Sequence, residues 1–231
     1  MTDLDAALMS LVAERAAARG DGPFLIGVAG GVAVGKSTLA RAIADGLEAQ
    51  GLSVEVVATD GFLRPNAELE AAGLNLKKGF PETYDRDAFH AFLADLAAGR
   101  AARTPVYSHV AYDIVQGEIR EVAAADVVII EGVNMLQTPE ARALLGLRLY
   151  VDADPAHAKA WWLARLHGII AEDPESFFAK LDPVQRDAMF EAGWTHLNLV
   201  NLAEHIAPTM AYADVVVRKG PDHGLVAIEA R

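Results

Sequence analysis

The chain has 231 residues, 52% of them hydrophobic and 23% charged, with a formal net charge of −12 and no cysteine. So acidic a balance argues against the broad basic face that nucleic-acid binders use, and without cysteine there are no disulfides, thiolate metal sites or thiol nucleophile. The length suits one α/β domain, residues 1–231, with a full core and 1–22 as a short helix and linker. No run reaches the ~18 uncharged apolar residues of a membrane span. The first twenty residues mix Asp3, Asp5, Glu14, Arg15 and Arg19 with alanine and leucine, unlike a secretory leader, so the expected location is the cytoplasm.

In chain order, Leu4, Leu8, Leu11 and Val12 predict a helix over 3–19, stopped near Gly20. The apolar run 24–29 between turn residues predicts a buried parallel strand, then a glycine loop and a helix over 36–50. A second strand spans 54–58 and ends in Thr59-Asp60-Gly61-Phe62. Helices are expected over 66–72 and 86–98, strand and turn structure over 105–119, and strands over 126–132 and 148–152. Helices follow over 155–167, 174–180 and 183–205, then late strands over 213–217 and 225–228. Strands alternating with helices predict a mainly parallel sheet covered on both faces, the three-layer fold of P-loop NTPases.

The pattern G-x-x-x-x-G-K-[ST] is met by Gly30-Gly31-Val32-Ala33-Val34-Gly35-Lys36-Ser37, after a strand and at the start of a helix. Such a loop turns backbone N–H groups inward around phosphates, and the helix dipole favours negative charge there. Lys36 is expected at the β- and γ-phosphates and Ser37 on Mg²⁺. The loop by itself fits a kinase, a GTPase, a motor or a transport ATPase.

Other positions narrow the choice. Asp60 ends the second strand, where ligands gather in an open parallel sheet, and suits a base for an attacking alcohol. It equally suits a turn carboxylate capping backbone N–H groups. Glu131, at the end of the third strand, fits a Mg²⁺ site through water, or a plain turn. Tyr107, His109 and Tyr112 lie within six residues and suggest a polar-edged pocket or a hairpin with cross-strand tyrosine packing. Lys77 and Lys78 read locally as solvated charges.

Taken together, the loop continued to Thr38, the segments Thr59-Asp60-Gly61-Phe62-Leu63-Arg64-Pro65-Asn66 and Lys77-Lys78-Gly79-Phe80-Pro81-Glu82-Thr83-Tyr84-Asp85, and Pro105-Val106-Tyr107-Ser108-His109 resemble a known family. Ile130-Glu131-Gly132-Val133-Asn134-Met135-Leu136-Gln137, Leu197-Asn198-Leu199-Val200-Asn201-Leu202 and Ile206-Ala207-Pro208-Thr209 extend the likeness. The family is bacterial type I pantothenate kinase, of the phosphoribulokinase and uridine kinase group. The resemblance implies ATP- and Mg²⁺-dependent phosphorylation of the primary hydroxyl of pantothenate, with Asp60 as base and Lys36 and Arg165 at the transferring phosphoryl group. It implies Gly30 to Thr38 and Arg41 at the nucleotide, Tyr107, His109, Tyr112, Asn198 and Lys78 at the substrate, and Ser37 and Glu131 at the metal. It also implies a homodimer with coenzyme A as inhibitor, and no nucleic-acid or membrane partner.

The chain departs from the family's pattern at places that bear on the acceptor. Only 23 residues precede the first strand, Leu166 to Glu172 carry no aromatic residue after Arg165, and Met210 stands where the family tends to place arginine. A related kinase of a nucleoside or sugar alcohol is therefore the alternative expectation, followed by a non-catalytic nucleotide-binding module.

Overall fold

Short apolar runs flanked by turn residues become strands in the computed structural model, which describes residues 2–20, 22–173, 175 and 177–231. The elements are α1 (Asp3–Ala17), β1 (Phe24–Gly30), α2 (Lys36–Glu48), β2 (Val54–Ala58), α3 (Asn66–Ala71), α4 (Arg86–Ala97), β3 (Ala102–Ser108) and β4 (Asp113–Val122). They continue as β5 (Val127–Glu131), α5 (Pro139–Leu144), β6 (Leu147–Ala153), α6 (Pro155–Glu172), α7 (Phe177–Lys180), α8 (Pro183–Gly193), α9 (Leu199–Asn201), β7 (Val215–Lys219) and β8 (Leu225–Ala230).

Six strands form one sheet in the order β2-β5-β1-β6-β7-β8. The first five are parallel, and β8 closes the far edge antiparallel to β7. Every residue of β1 and β5 is buried, as central strands covered on both faces require. Alternation along β1 divides the core. Ile26 and Val28 face Leu8, Val12, Leu39, Ile43 and Leu47 of α1 and α2. Leu25 and Ala29 face the other layer, with Phe62, Phe89, Phe92, Leu93 and Leu96. This is the three-layer arrangement expected from the sequence. Among the described residues, no helix is long and apolar enough to cross a membrane.

Several expectations need correction. The helix expected to end at 167 continues to Glu172. The single helix expected over 183–205 is α8, a π turn at Trp194–Asn198, the short α9, and a second π turn at Leu202–Ile206. Apolar spacing persists through this stretch, so periodicity alone reads it as one helix. The sequence reading also overlooked α5, although Thr138 caps it and Pro139 occupies its first turn. Of the helix expected over 174–180, residues 174 and 176 lie outside the described residues.

Segment 102–122 is a separate antiparallel hairpin of β3 and β4. Its base is buried through Ala102 and Val122, and Arg120 fastens it to the edge of the main sheet. The Arg120 guanidinium donates to the Val56 carbonyl at 2.8 Å and to Glu55 at 2.5 Å. A β-carbon on Gly61 would collide with Thr104 and the Pro105 carbonyl, so glycine lets β3 close onto the turn after β2. The tip of the hairpin therefore reaches Asp60.

Candidate active site

The phosphate loop takes its shape from backbone conformations that favour glycine. Gly30 has φ 142° and Gly35 φ 84°, and Ala33 also adopts a positive φ of 61°. A side chain on Gly30 would strike the Val151 carbonyl of the neighbouring strand. The first turn of α2 carries no acidic side chain and no side-chain cap, so its N–H groups stay available to an anion. Lys36 is buried and folds back to donate from Nζ to the Gly31 carbonyl at 2.7 Å. Burial pulls its pKa below the ordinary lysine value, with Glu131 and Asp60 opposing that shift.

The parallel register sets Glu131 beside Val28 and Ala58, at the carboxyl ends of three strands. Ser37 Oγ donates to Glu131 Oε1 at 2.6 Å. Two hard oxygen donors, one nearly buried, thus meet at the mouth of the phosphate loop. This suits Mg²⁺, which takes few protein ligands and completes its shell with water and phosphate oxygens. Behind it, Thr59 Oγ1 donates to Asn134 Oδ1 at 2.6 Å, and Gly132 leaves Thr59 its space.

Asp60 is the second residue of the short 3₁₀ turn Thr59–Phe62 after β2. Its side chain keeps 33% of its exposure and lies 3.9 Å from His109 Nε2. Among the described residues no backbone N–H donates to its carboxylate, so the capping role weighed from the sequence is not the one it plays. A groove of about 180 Å³ runs past it, lined by Gly61, Thr104, Val106, Tyr107, His109 and Arg120 among others.

Tyr107 packs edge-on against His109 at 5.2 Å and Tyr112 at 6.4 Å, so the pocket and hairpin readings of this segment describe the same object. Tyr112 adopts a φ of 54°, turning the chain at the hairpin tip. Burial raises the Tyr107 phenol pKa and keeps its hydroxyl a neutral donor, while Tyr112 stays largely exposed. Burial, aided by the Arg165 charge, lowers the His109 pKa below the ordinary imidazole value. Arg165 itself is exposed on α6.

Lys77 is solvated as expected and pairs with Glu82 at 3.1 Å, but Lys78 is not a surface charge. Its side chain is 5% exposed. It donates to Asn66 Oδ1 at 2.5 Å and the Tyr112 carbonyl at 2.6 Å, above the rings of Tyr107 and Tyr112. These partners come from distant segments, which is why local reading misplaces this lysine. Asn198 lines a small cavity of about 20 Å³ with Gly31, Val32, Trp194 and Leu202. Arg41 is exposed one turn into α2.

The structure adds residues that the sequence reading missed. A β-carbon on Gly35 would stand 3.3 Å from Lys219 Nζ and 3.8 Å from His223 Nδ1. His223 stacks on Trp161 at 3.7 Å, forming an aromatic platform beside the loop. Lys219 is the last residue of β7, so the strand-end rule that drew attention to Asp60 and Glu131 applies to it too.

Comparison with known proteins gives the family. The chain is 43% identical to a pantothenate kinase of Streptomyces avermitilis over 99% of its length and 75% of the relative's. It is 45% identical to a pantothenate kinase of Sorangium cellulosum over 90% of its length and 73% of the relative's. A solved structure described as a putative fructose transport system kinase from Silicibacter superimposes with TM-score 0.71 and 31% identity, covering 92% of this chain and 95% of that one. The sequence model of the Phosphoribulokinase / Uridine kinase family matches residues 25–167, and the chain belongs to that family of P-loop kinases.

Proposed function

We propose that the protein is an ATP- and Mg²⁺-dependent kinase that phosphorylates the primary hydroxyl of pantothenate by direct in-line transfer. The observation that carries the reading is the Asp60 carboxylate, uncapped and beside His109 at the mouth of the groove, on the strand-end side of the sheet that also holds Lys36. The relatives named pantothenate kinase support the choice of acceptor. In the reaction Asp60 Oδ accepts the hydroxyl proton as the alcohol oxygen bonds to the γ-phosphorus, and the bond from that phosphorus to the β–γ bridging oxygen breaks, releasing ADP. Lys36 and Arg165 oppose the charge on the moving phosphoryl group, while Lys78, Tyr107 and Tyr112 orient the acceptor. Mg²⁺, when bound through Ser37 and Glu131, spreads the phosphate charge. By the same reading, drawn from the family resemblance, the chain works in the cytoplasm as a homodimer and coenzyme A competes with ATP.

The test is ATP consumption against pantothenate, uridine, cytidine, fructose and glycerate. Pantothenate is expected to exceed the others in kcat/KM by about 10²-fold or more. A sugar alcohol is the second reading, favoured by the 31% identity to the putative fructose transport system kinase. No turnover of pantothenate beside clear turnover of fructose or a nucleoside overturns the first.

A second expectation concerns pH. Protonated His109, 3.9 Å from Asp60, pairs with the base and withdraws it from the substrate. Burial and Arg165 both disfavour that protonated form, so the acid limb of kcat/KM for the acceptor falls below about 6.5. In His109→Asn this limb disappears, and activity persists down to the pH at which carboxylates themselves protonate. A limb unmoved in that variant removes His109 from the pH dependence.

A further inference from the structure

Asn201 plays no part in the reaction as described, yet it is one of the few buried polar side chains, 7% exposed. It ends α9, the short helical stretch between the two π turns. Its Nδ2 donates to the Gly79 carbonyl at 2.9 Å, a contact spanning 122 positions of sequence. Its Oδ1 is buried and has no hydrogen-bond partner among the described residues. A buried amide with one end unsatisfied is an unfavourable way to fill space, so the donor end must matter to the segment it holds.

That segment begins with the residue after Lys78. Gly79 lies in the left-handed region at φ 95°, and its own N–H donates to Thr83 Oγ1 at 3.1 Å. Both backbone polar groups of Gly79 are therefore fixed by side chains, and the direction in which the chain leaves Lys78 is fixed with them. At the other end of the Lys78 side chain, the ammonium is held by Asn66 Oδ1 and the Tyr112 carbonyl, 3.8 Å from Asp113. A π turn adds a residue to the helical circuit and rotates the side chains beyond it. Asn198, which precedes α9, and Asn201, its last residue, reach different segments: Asn198 lines a cavity with Gly31 and Val32, and Asn201 holds Gly79.

We propose that Asn201 is a positioning residue for the acceptor: by holding the Gly79 carbonyl it aims the Lys78 ammonium into the acceptor pocket. The proposal rests on the reading of Lys78 as part of that pocket. It is tested with Asn201→Leu, Asn201→Ala, Lys78→Met and the double variant Asn201→Leu/Lys78→Met. Each is assayed with whichever alcohol of the panel (pantothenate, uridine, cytidine, fructose or glycerate) turns over best, and each is followed through thermal melting.

Asn201→Leu is expected to fold, because the apolar isostere removes the unsatisfied Oδ1. It raises the acceptor KM about three- to tenfold and leaves the KM for ATP unchanged. Lys78→Met raises the acceptor KM further, and the double variant is no worse than Lys78→Met alone. Additive losses in the double variant, an equal rise in the KM for ATP, or a normal acceptor KM in Asn201→Leu beside a defective Lys78→Met overturns the positioning role. A normal acceptor KM in Lys78→Met instead overturns the assignment of Lys78 to the pocket, and the proposal with it. Failure of both Asn201 variants to fold makes Asn201 a folding residue and likewise overturns it.

Discussion

Asp60→Asn is expected to lower kcat by about 10³- to 10⁴-fold while the affinity for ATP stays within about twofold of the parent. The asymmetry follows from where Asp60 stands. Its carboxylate belongs to the turn after β2, makes no hydrogen bond among the described residues, and has His109 3.9 Å away as its charged-group neighbour. Asparagine keeps the volume and one oxygen but cannot take up the alcohol proton. The phosphate loop is built from β1 and α2, with Lys36 held by Gly31, and none of those contacts involves Asp60. Steady-state phosphoryl transfer with nucleotide titration by calorimetry checks both halves. A loss of less than about tenfold in kcat removes Asp60 from proton transfer.

Lys36→Met should separate catalysis from folding. Phosphoryl transfer falls by about 10³-fold or more, equivalent to at least ~4 kcal/mol of lost transition-state stabilisation, and ATP binds more weakly. The melting temperature of the nucleotide-free protein stays at the parent value or rises. A buried ammonium is costly to desolvate, and that cost is what depresses the Lys36 pKa. Methionine fills the same space without it. Glu131 keeps its hydrogen bond from Ser37 in either case. A marked drop in melting temperature with retained transfer would reverse the assignment.

Those variants address the part of the site that was legible from residue order. Strand 24–29, the loop and the helix after it carry local signals: an apolar run, glycines at positive φ, and a helix opened by lysine and serine. Asp60 and Glu131 were singled out because strand ends in a parallel sheet face one side, and the register sets Glu131 beside Ala58, two residues before Asp60. Local residue order did not reveal Lys78, which only the family resemblance placed at the substrate, since its partners Asn66 and Tyr112 lie 12 and 34 positions away and only the fold unites them. The same applies to Lys219 and His223 beside Gly35. The breaks in the helix expected over 183–205 escaped for another reason. A π turn leaves hydrophobic spacing nearly intact while changing where each side chain points, so periodicity alone does not reveal it. The direction of β8 is likewise a property of chain path, not of its own apolar pattern.

The hairpin of β3 and β4 has a consequence for how such enzymes diversify. The phosphate loop and the helix it opens are anchored on β1, a central strand of the parallel sheet constrained by neighbours on both sides. Tyr107, His109 and Tyr112, by contrast, ride on a two-stranded ribbon fastened through Arg120 and the close approach at Gly61. A substitution near its tip disturbs no buried strand. On the proposed roles, selection for a new alcohol can revise the ribbon and leave the phosphate loop alone, a division of evolutionary labour in which one part of the chain is held fixed by packing and the other is free to specialise.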